Sequence, residues 1–90
     1  MYAALVSVKI DPAQADAAKS MLESDVVPMV KAAPGFIAGY WTGPTDGKGF
    51  SFVLFETEDQ ARQTAPPAGT SPHPGVTVET TEFREVIAHA

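Results

Sequence analysis

The stretch over residues 34–56, PGFIAGYWTGPTDGKGFSFVLFE, constrains the fold of this chain more than any other. Two runs of apolar and aromatic residues flank an Asp-Gly dipeptide at residues 46–47, which is a strong signal for a tight hairpin turn. A Pro-Gly pair at the start of the stretch ends any helix that precedes it. The pattern therefore predicts two antiparallel strands over residues 36–42 and 50–56.

The second of these strands is apolar on both faces. Phe50, Phe52 and Leu54 alternate onto one side, and Val53 and Phe55 onto the other. A strand of this kind is central in its sheet and covered on both sides.

The first strand of the hairpin separates two large aromatic side chains. Alternation places Tyr40 on the same face as Phe36 and Ala38, and Trp41 on the opposite face with Ile37 and Gly39. Only one of Tyr40 and Trp41 is therefore expected to line any given cavity.

The chain before the hairpin predicts a strand and a helix. Residues 2–10 alternate with one fully apolar face. Asp11 and Pro12 form a helix start, and apolar residues spaced by three and four extend an amphipathic pattern to about residue 33. Pro28 interrupts this pattern, so either one helix bends there or a first helix ends near residue 26 and a short turn follows. The spacing that continues beyond Pro28 favours the bent helix.

The chain after the hairpin predicts a second helix and a last strand. Thr57 and Gln60 fit a capping box at the helix start. The helix ends at two prolines, and a Pro/Gly-rich loop up to residue 75 is expected to be exposed and mobile. Residues 76–88 predict a strand with a bulge or bend in its middle, where the apolar pattern slips.

The resulting order, β-α-β-β-α-β in one domain over residues 1–90, predicts an α+β ferredoxin-like fold. Its four-stranded antiparallel sheet would carry two helices on one face. Two helices cannot cover the other face, which would expose an apolar surface. The pattern therefore predicts a homodimer in which two sheets pack face to face around a twofold axis, as a dimeric α/β barrel.

Composition excludes several classes of function. The chain has a net charge of −5 and no Lys/Arg cluster, so nucleic-acid binding is not expected. The absence of Cys excludes disulfides, thiol catalysis and Cys-ligated metals. The apolar N-terminal stretch lacks the basic region and cleavage site of a signal peptide, and no segment is long enough to span a membrane. A cytoplasmic protein without membrane attachment is predicted.

Several residues together resemble one family. They are the Pro-Gly-Phe turn at residues 34–36, Gly39 and Trp41 in the strand, the strand 52–56 and the capped helix start 58–61. This set resembles the antibiotic-biosynthesis-monooxygenase-like proteins of the dimeric α/β-barrel superfamily. That family includes cofactor-free oxygenases of aromatic polyketides, haem-degrading enzymes and many small proteins without an assigned activity. The resemblance therefore implies the fold and the dimer more than any one reaction.

The resemblance implies a cofactor-independent oxygenase acting on an aromatic or polyketide-like substrate. The substrate enolate or phenolate would supply the electrons, so neither a cofactor nor a metal is expected. His89 and Tyr40 are the predicted catalytic residues, since imidazole exchanges protons near neutral pH and a phenol can hydrogen-bond a substrate oxygen. Trp41, Tyr2 and His73 are the predicted substrate contacts, with Trp41 stacking on an aromatic ring.

A non-catalytic dimeric module that binds a small apolar ligand, or serves in assembly, is the alternative. Tyr40 and Trp41 then pack in the core or at the dimer interface, His89 lies in a frayed tail, and His73 is a solvated loop residue. A metal held by the two His residues lacks a third ligand, and the chain has no Asn, which the familiar haem-degrading pattern uses. A closed pocket holding a His or Tyr favours the enzyme, and a filled layer between sheet and helices favours the module.

Overall fold

The predicted hairpin supplies one edge strand and one central strand of a four-stranded antiparallel sheet. In the computed structural model, which describes residues 1–90, the strands are β1 (Tyr2–Ile10), β2 (Phe36–Trp41), β3 (Lys48–Phe55) and β4 (Val76–Glu85). Their order across the sheet is β2-β3-β1-β4, and each neighbouring pair is antiparallel. This α+β arrangement confirms the predicted ferredoxin-like β-α-β-β-α-β order.

The hairpin turn forms at the Asp-Gly dipeptide, as its residue types predict. Asp46 has φ +53° and Gly47 has φ +75°, and Asp46 is the only non-glycine residue with a positive φ. Two successive left-handed residues twist the turn in the sense that antiparallel strands require. The strand that follows begins at Lys48, two residues before the predicted start.

Two helical regions lie against one face of the sheet. The first comprises the 3-10 turn Pro12–Gln14, α1 (Ala15–Met21), a π-helical segment (Leu22–Val26) and α2 (Val27–Lys31), and the second is α3 (Glu58–Thr64). One buried cluster joins both regions to the sheet and contains Ala4, Val30, Val53, Phe55 and Ala61. The two predicted helices therefore cover the same face. None of the helices has the length and apolar character needed to cross a lipid bilayer.

The first helical region begins at its predicted cap and continues through Pro28. Asp11 accepts a 3.0 Å hydrogen bond from the Ala13 N–H. Pro28 has no N–H to donate to the carbonyl four residues earlier, and the wider π-helical segment lies immediately before α2. Val26 and Val27 nevertheless keep helical dihedral angles. The prediction of one continuous helix is confirmed, although it ends at Lys31 rather than near residue 33.

A bulge in β2 changes the predicted face of Phe36. The pairing register with β3 shifts between Phe36 and Ala38, so Ile37 is an extra residue in the alternation. Phe36 therefore lies opposite Phe55 on the helix-covered face, where the two rings meet edge to face with centroids 6.4 Å apart. The prediction that Phe36 shares a face with Tyr40 is wrong, because strict alternation cannot allow for the inserted residue.

The last strand contains the bulge predicted from its broken pattern. Thr80 pairs with Ser7 while Val78 pairs with Val8, which leaves Glu79 as the extra residue. The loop before β4 is mostly exposed, as predicted, but it is held along the outer edge of this strand. The Gly69 N–H donates to the Val78 carbonyl at 2.7 Å, and the Val78 N–H donates to the Thr70 carbonyl at 2.8 Å. The strand ends at Glu85, before the predicted residue 88.

The second helix is connected to the start of the hairpin through its cap. The Thr57 hydroxyl accepts from the Gln60 N–H, and the Gln60 side chain accepts from the Thr57 N–H, which completes the predicted capping box. The same Gln60 side chain packs against Gly35, whose carbonyl accepts a 2.9 Å hydrogen bond from the Glu56 N–H. Gly35 has φ +79° and no space for a Cβ atom.

Replacing Gly35 with Ala should destabilise the fold by about 1–3 kcal/mol. The new Cβ would require a strained left-handed backbone and would displace the Gln60 side chain from the cap. Urea unfolding followed by far-UV circular dichroism measures the loss. Gly43→Ala is the matched control, because nothing lies within 4 Å of its Cβ position. Equal unfolding midpoints for the two variants would contradict this role of Gly35.

Candidate functional site

The helix-covered face of the sheet is built from small side chains at one end. Ala4, Val6 and Val8 alternate along β1, and Val6 and Val8 pair with Ser51 and Gly49 of β3. The large side chains of β3 at neighbouring positions point to the opposite face. The side chains at this end of the sheet are therefore too short to reach the first helix.

A cavity of about 640 Å³ lies between this part of the sheet and the first helical region. Its walls are mainly apolar, and the helical side includes two alanines and four larger apolar residues: Ala15, Ala18, Met21, Leu22, Val26 and Val30. A volume of this size falls within the range of cavities that enclose small organic ligands. The cavity is thus a concave site with apolar walls that could hold a molecule.

Trp41 is the aromatic residue that β2 contributes to the cavity wall. It is half-buried and lies on the helix-covered face, opposite Ser51 in the register of β2 and β3. The indole lies back over Gly39, where an added Cβ would come within 2.7 and 2.9 Å of the ring carbons Cη2 and Cζ3. The missing side chain at Gly39 therefore fixes where the indole ring can lie.

Three hydroxyl groups belong to the cavity walls, and two of them are already paired. The Thr42 hydroxyl donates to the Phe50 carbonyl at 3.1 Å and accepts from the Phe50 N–H at 3.0 Å. The Thr64 hydroxyl donates to the Gln60 carbonyl at 3.1 Å. The hydroxyl of Ser51 has no hydrogen-bond partner in the protein.

Charged residues reach the cavity only from the first helix. Asp16, Lys19 and Glu23 line it and are themselves exposed, so their charges lie at the rim. None of the three takes part in an ion pair, since the three ion pairs of the chain lie elsewhere. The interior of the cavity is therefore uncharged.

Trp41 is the one predicted site residue that lines the cavity. Tyr40 follows the opposite face of β2 and is 66% exposed. Tyr2 is half-buried and packs against the core cluster. His73 lies in the loop before β4 with its Nδ1 2.7 Å from the Pro74 carbonyl oxygen, and His89 is exposed in the tail that follows β4. The structure thus does not bring the two His residues or the two Tyr residues to Trp41.

No group of three or more His, Asp or Glu side chains in the chain is arranged to hold a metal ion. His73 and His89, the only two His residues, lie in the loop before β4 and in the tail after it. The geometry at the cavity is accordingly that of a binding site with apolar walls and a small number of neutral polar groups.

Ser51 and the small residues around it were missed in the sequence. The signal was present as a difference in size between the two faces of β3: Phe50, Phe52 and Leu54 on one face against Gly49 and Ser51 on the other. That difference indicates which face lacks volume. It does not indicate the position of the helix above that face, which decides whether the missing volume becomes a cavity.

No protein-family model matches this sequence, and neither a curated protein nor a solved structure is significantly similar to it. The resemblance to the antibiotic-biosynthesis-monooxygenase-like proteins therefore stays a prediction.

Proposed function

We propose that this chain binds a small, mostly apolar, ring-containing ligand in the cavity between its sheet and its first helix. The observation that supports this proposal is a cavity of about 640 Å³ with largely apolar walls in a chain of only 90 residues. Protein interiors are normally filled to the density of organic crystals, with few voids larger than a water molecule. The cavity is partly open to solvent, and a ligand that fills it would cover apolar wall surface that water otherwise contacts.

Burial of apolar surface supplies the binding energy in this proposal. Each Å² of apolar surface removed from water contributes about 25 cal/mol, on the ligand as well as on the cavity walls. Trp41 adds a flat aromatic face, against which a ligand ring packs in an offset or edge-to-face geometry. The absence of His and Tyr from the cavity walls favours binding over general acid–base catalysis.

Replacing Ala18 with Leu should block ligand binding and stabilise the free protein. Ala18 is buried and lines the cavity, so the larger side chain would occupy space that the ligand needs. Affinity for 2-naphthol, measured by isothermal titration calorimetry, is expected to fall at least tenfold. The thermal midpoint is expected to rise by roughly 2–8 °C, as for other cavity-filling changes.

The control for this experiment is Ala17→Leu, one residue earlier on the exposed side of the same helix. It adds the same side chain without entering the cavity and should leave affinity and thermal midpoint unchanged. Loss of 2-naphthol binding in both variants, or in neither, would contradict the placement of the ligand in this cavity.

The second candidate function is a cofactor-independent oxygenase acting on an aromatic or polyketide-like substrate. The observation that favours it is the position of Trp41, which lines an apolar cavity where an aromatic substrate could stack. In this candidate the substrate enolate or phenolate supplies the electrons, and His89 and Tyr40 remain the predicted catalytic residues. Tyr40 lies on the face of β2 opposite Trp41, and His89 lies in the tail after β4, so one chain does not by itself assemble the predicted set.

Oxygen uptake with hydroxynaphthalenes tests the oxygenase. If the predicted roles are correct, His89→Ala should lower the rate by a factor of about 100 or more, as loss of a general base does. Trp41→Phe should raise KM by weakening substrate stacking. An oxygen electrode measures both effects. Uptake that survives both substitutions would contradict these assignments, and no uptake with measurable binding would favour the non-catalytic module.

We also propose that the uncovered face of the sheet joins two copies of the chain in a homodimer. Leu5, Phe50, Phe52, Leu54 and Tyr40 follow this face across β1, β3 and β2. Phe50 and Tyr40 are 43% and 66% exposed, which makes the face an apolar surface without a cover. On β4 the same face carries Arg84 and Glu82, which form an ion pair at 3.4 Å. Because these two charges compensate each other, two identical faces can pack together without repulsion at this point.

Sedimentation at micromolar concentration should give a mass of twice the 9.5 kDa of one chain. Phe52→Glu should shift this mass to one chain, because a twofold interface would bury two unpaired carboxylates near each other. Ala17→Glu adds the same charge on the exposed side of the first helix and should leave the dimer intact. A wild-type protein that sediments as a single chain would refute the homodimer.

A further inference from the structure

We propose that the Ser51 hydroxyl is the specificity-determining group of the cavity and that it selects ligands carrying a neutral oxygen on their ring system. This inference rests on the proposed function, because it names what the bound ligand must present. It assigns a role to a residue that no motif in the sequence indicates.

Ser51 is the only polar side chain that the sheet contributes to the cavity. The other residues that the strands direct into the cavity are all apolar: Ala4, Val6, Val8 and Ile10 from β1, Trp41 from β2, Val53 and Phe55 from β3, and Val76 and Val78 from β4. Ser51 lies on β3 between its two register partners, Val6 and Trp41. Ser51 is therefore the polar strand residue that lies beside Trp41 on the cavity face of the sheet.

The Ser51 hydroxyl makes no hydrogen bond in the protein, so it can both donate to and accept from a ligand, whereas the other cavity hydroxyls already use their donors. Thr42 and Thr64 each donate to a backbone carbonyl. Ser51 is half-buried and makes no hydrogen bond within the protein. No fully buried side-chain polar atom in the chain lacks a hydrogen-bond partner, so the unpaired Ser51 hydroxyl must be in contact with solvent. Its hydroxyl is therefore accessible from the cavity, and a ligand oxygen can replace the water that would otherwise solvate it.

The surroundings of Ser51 restrict the chemistry of that ligand oxygen. A hydroxyl both donates and accepts, so it can pair with a phenol, a ketone or a quinone carbonyl. The charged residues Asp16, Lys19 and Glu23 lie at the rim on the helix, and the walls around Ser51 hold no charge. An ionised group beside Ser51 would lose its hydration without an opposite charge to compensate it, so the site disfavours carboxylates and phenolates.

A pair of ligands of nearly equal shape tests this inference. 2-Naphthol and 2-methylnaphthalene differ only by a hydroxyl in place of a methyl group, and isothermal titration calorimetry gives the affinity of each. Wild-type protein should bind 2-naphthol roughly fivefold more tightly, which is the effect of one net hydrogen bond. Ser51→Ala should remove this preference by weakening 2-naphthol binding and leaving 2-methylnaphthalene binding unchanged. Ser51→Thr, which retains a hydroxyl, should keep the preference.

Ser7→Ala is the matched control. Ser7 is half-buried like Ser51, but it pairs with Phe50 and lies on the opposite face of the sheet. The substitution should change neither affinity. Unchanged binding of 2-methylnaphthalene by Ser51→Ala also serves as a measure that this variant is folded with its cavity intact.

The outcomes separate this inference from the proposed function. If wild-type protein binds both ligands equally, or if Ser51→Ala retains the preference for 2-naphthol, Ser51 does not determine specificity, while ligand binding in the cavity still stands. If wild-type protein binds neither ligand, the proposed function fails and the role of Ser51 fails with it. Equal loss of both ligands in Ser51→Ala, with unfolding excluded by circular dichroism, also overturns the inference.

Discussion

The unequal distribution of side-chain volume across the sheet is the constraint on which this structure depends. β3 directs Phe50, Phe52 and Leu54 to the face without helices, and Gly49 and Ser51 to the face with helices. At one end of the covered face, Phe55 packs with the two helical regions. At the other end the first helix lies above small side chains. These side chains do not fill the space beneath the helix, and a cavity remains.

The shape of the first helix follows from the same constraint. Pro28 removes one backbone hydrogen bond, and the π-helical segment before it contributes Leu22, Glu23 and Val26 to the cavity wall. Val30 anchors the far end of this helix in the core, and the Asp11 cap holds its beginning. The helix is therefore held at both ends and spans the cavity between them. A ligand can contact this wall of the cavity without displacing the helix.

The candidate site was only partly accessible from sequence. The alternation of β2 correctly placed Tyr40 and Trp41 on opposite faces, but only the structure shows that Trp41 is the one that lines the cavity. Strict alternation gave the wrong face for Phe36, because the bulge at Ile37 shifts the register by one residue. No residue near Ile37 in the sequence indicates this bulge. Ser51 could not be identified from the sequence, because a serine in a strand carries no signal of its own. Its place in a cavity depends on the space between the sheet and the first helix. The positions of His73 and His89 likewise depend on a loop and a tail that no periodicity describes.

The sequence by itself determined the order of the elements, the turn at Asp46-Gly47, the caps at Asp11 and Thr57, and the faces of the central strand. These features depend on neighbouring residues, through positive φ angles, side-chain capping and the two-residue period of a strand. The tertiary structure decided the bulge in β2 and the cavity above Ser51. These depend on how distant segments pack, since register and empty volume are properties of contacts between elements and of no single element alone.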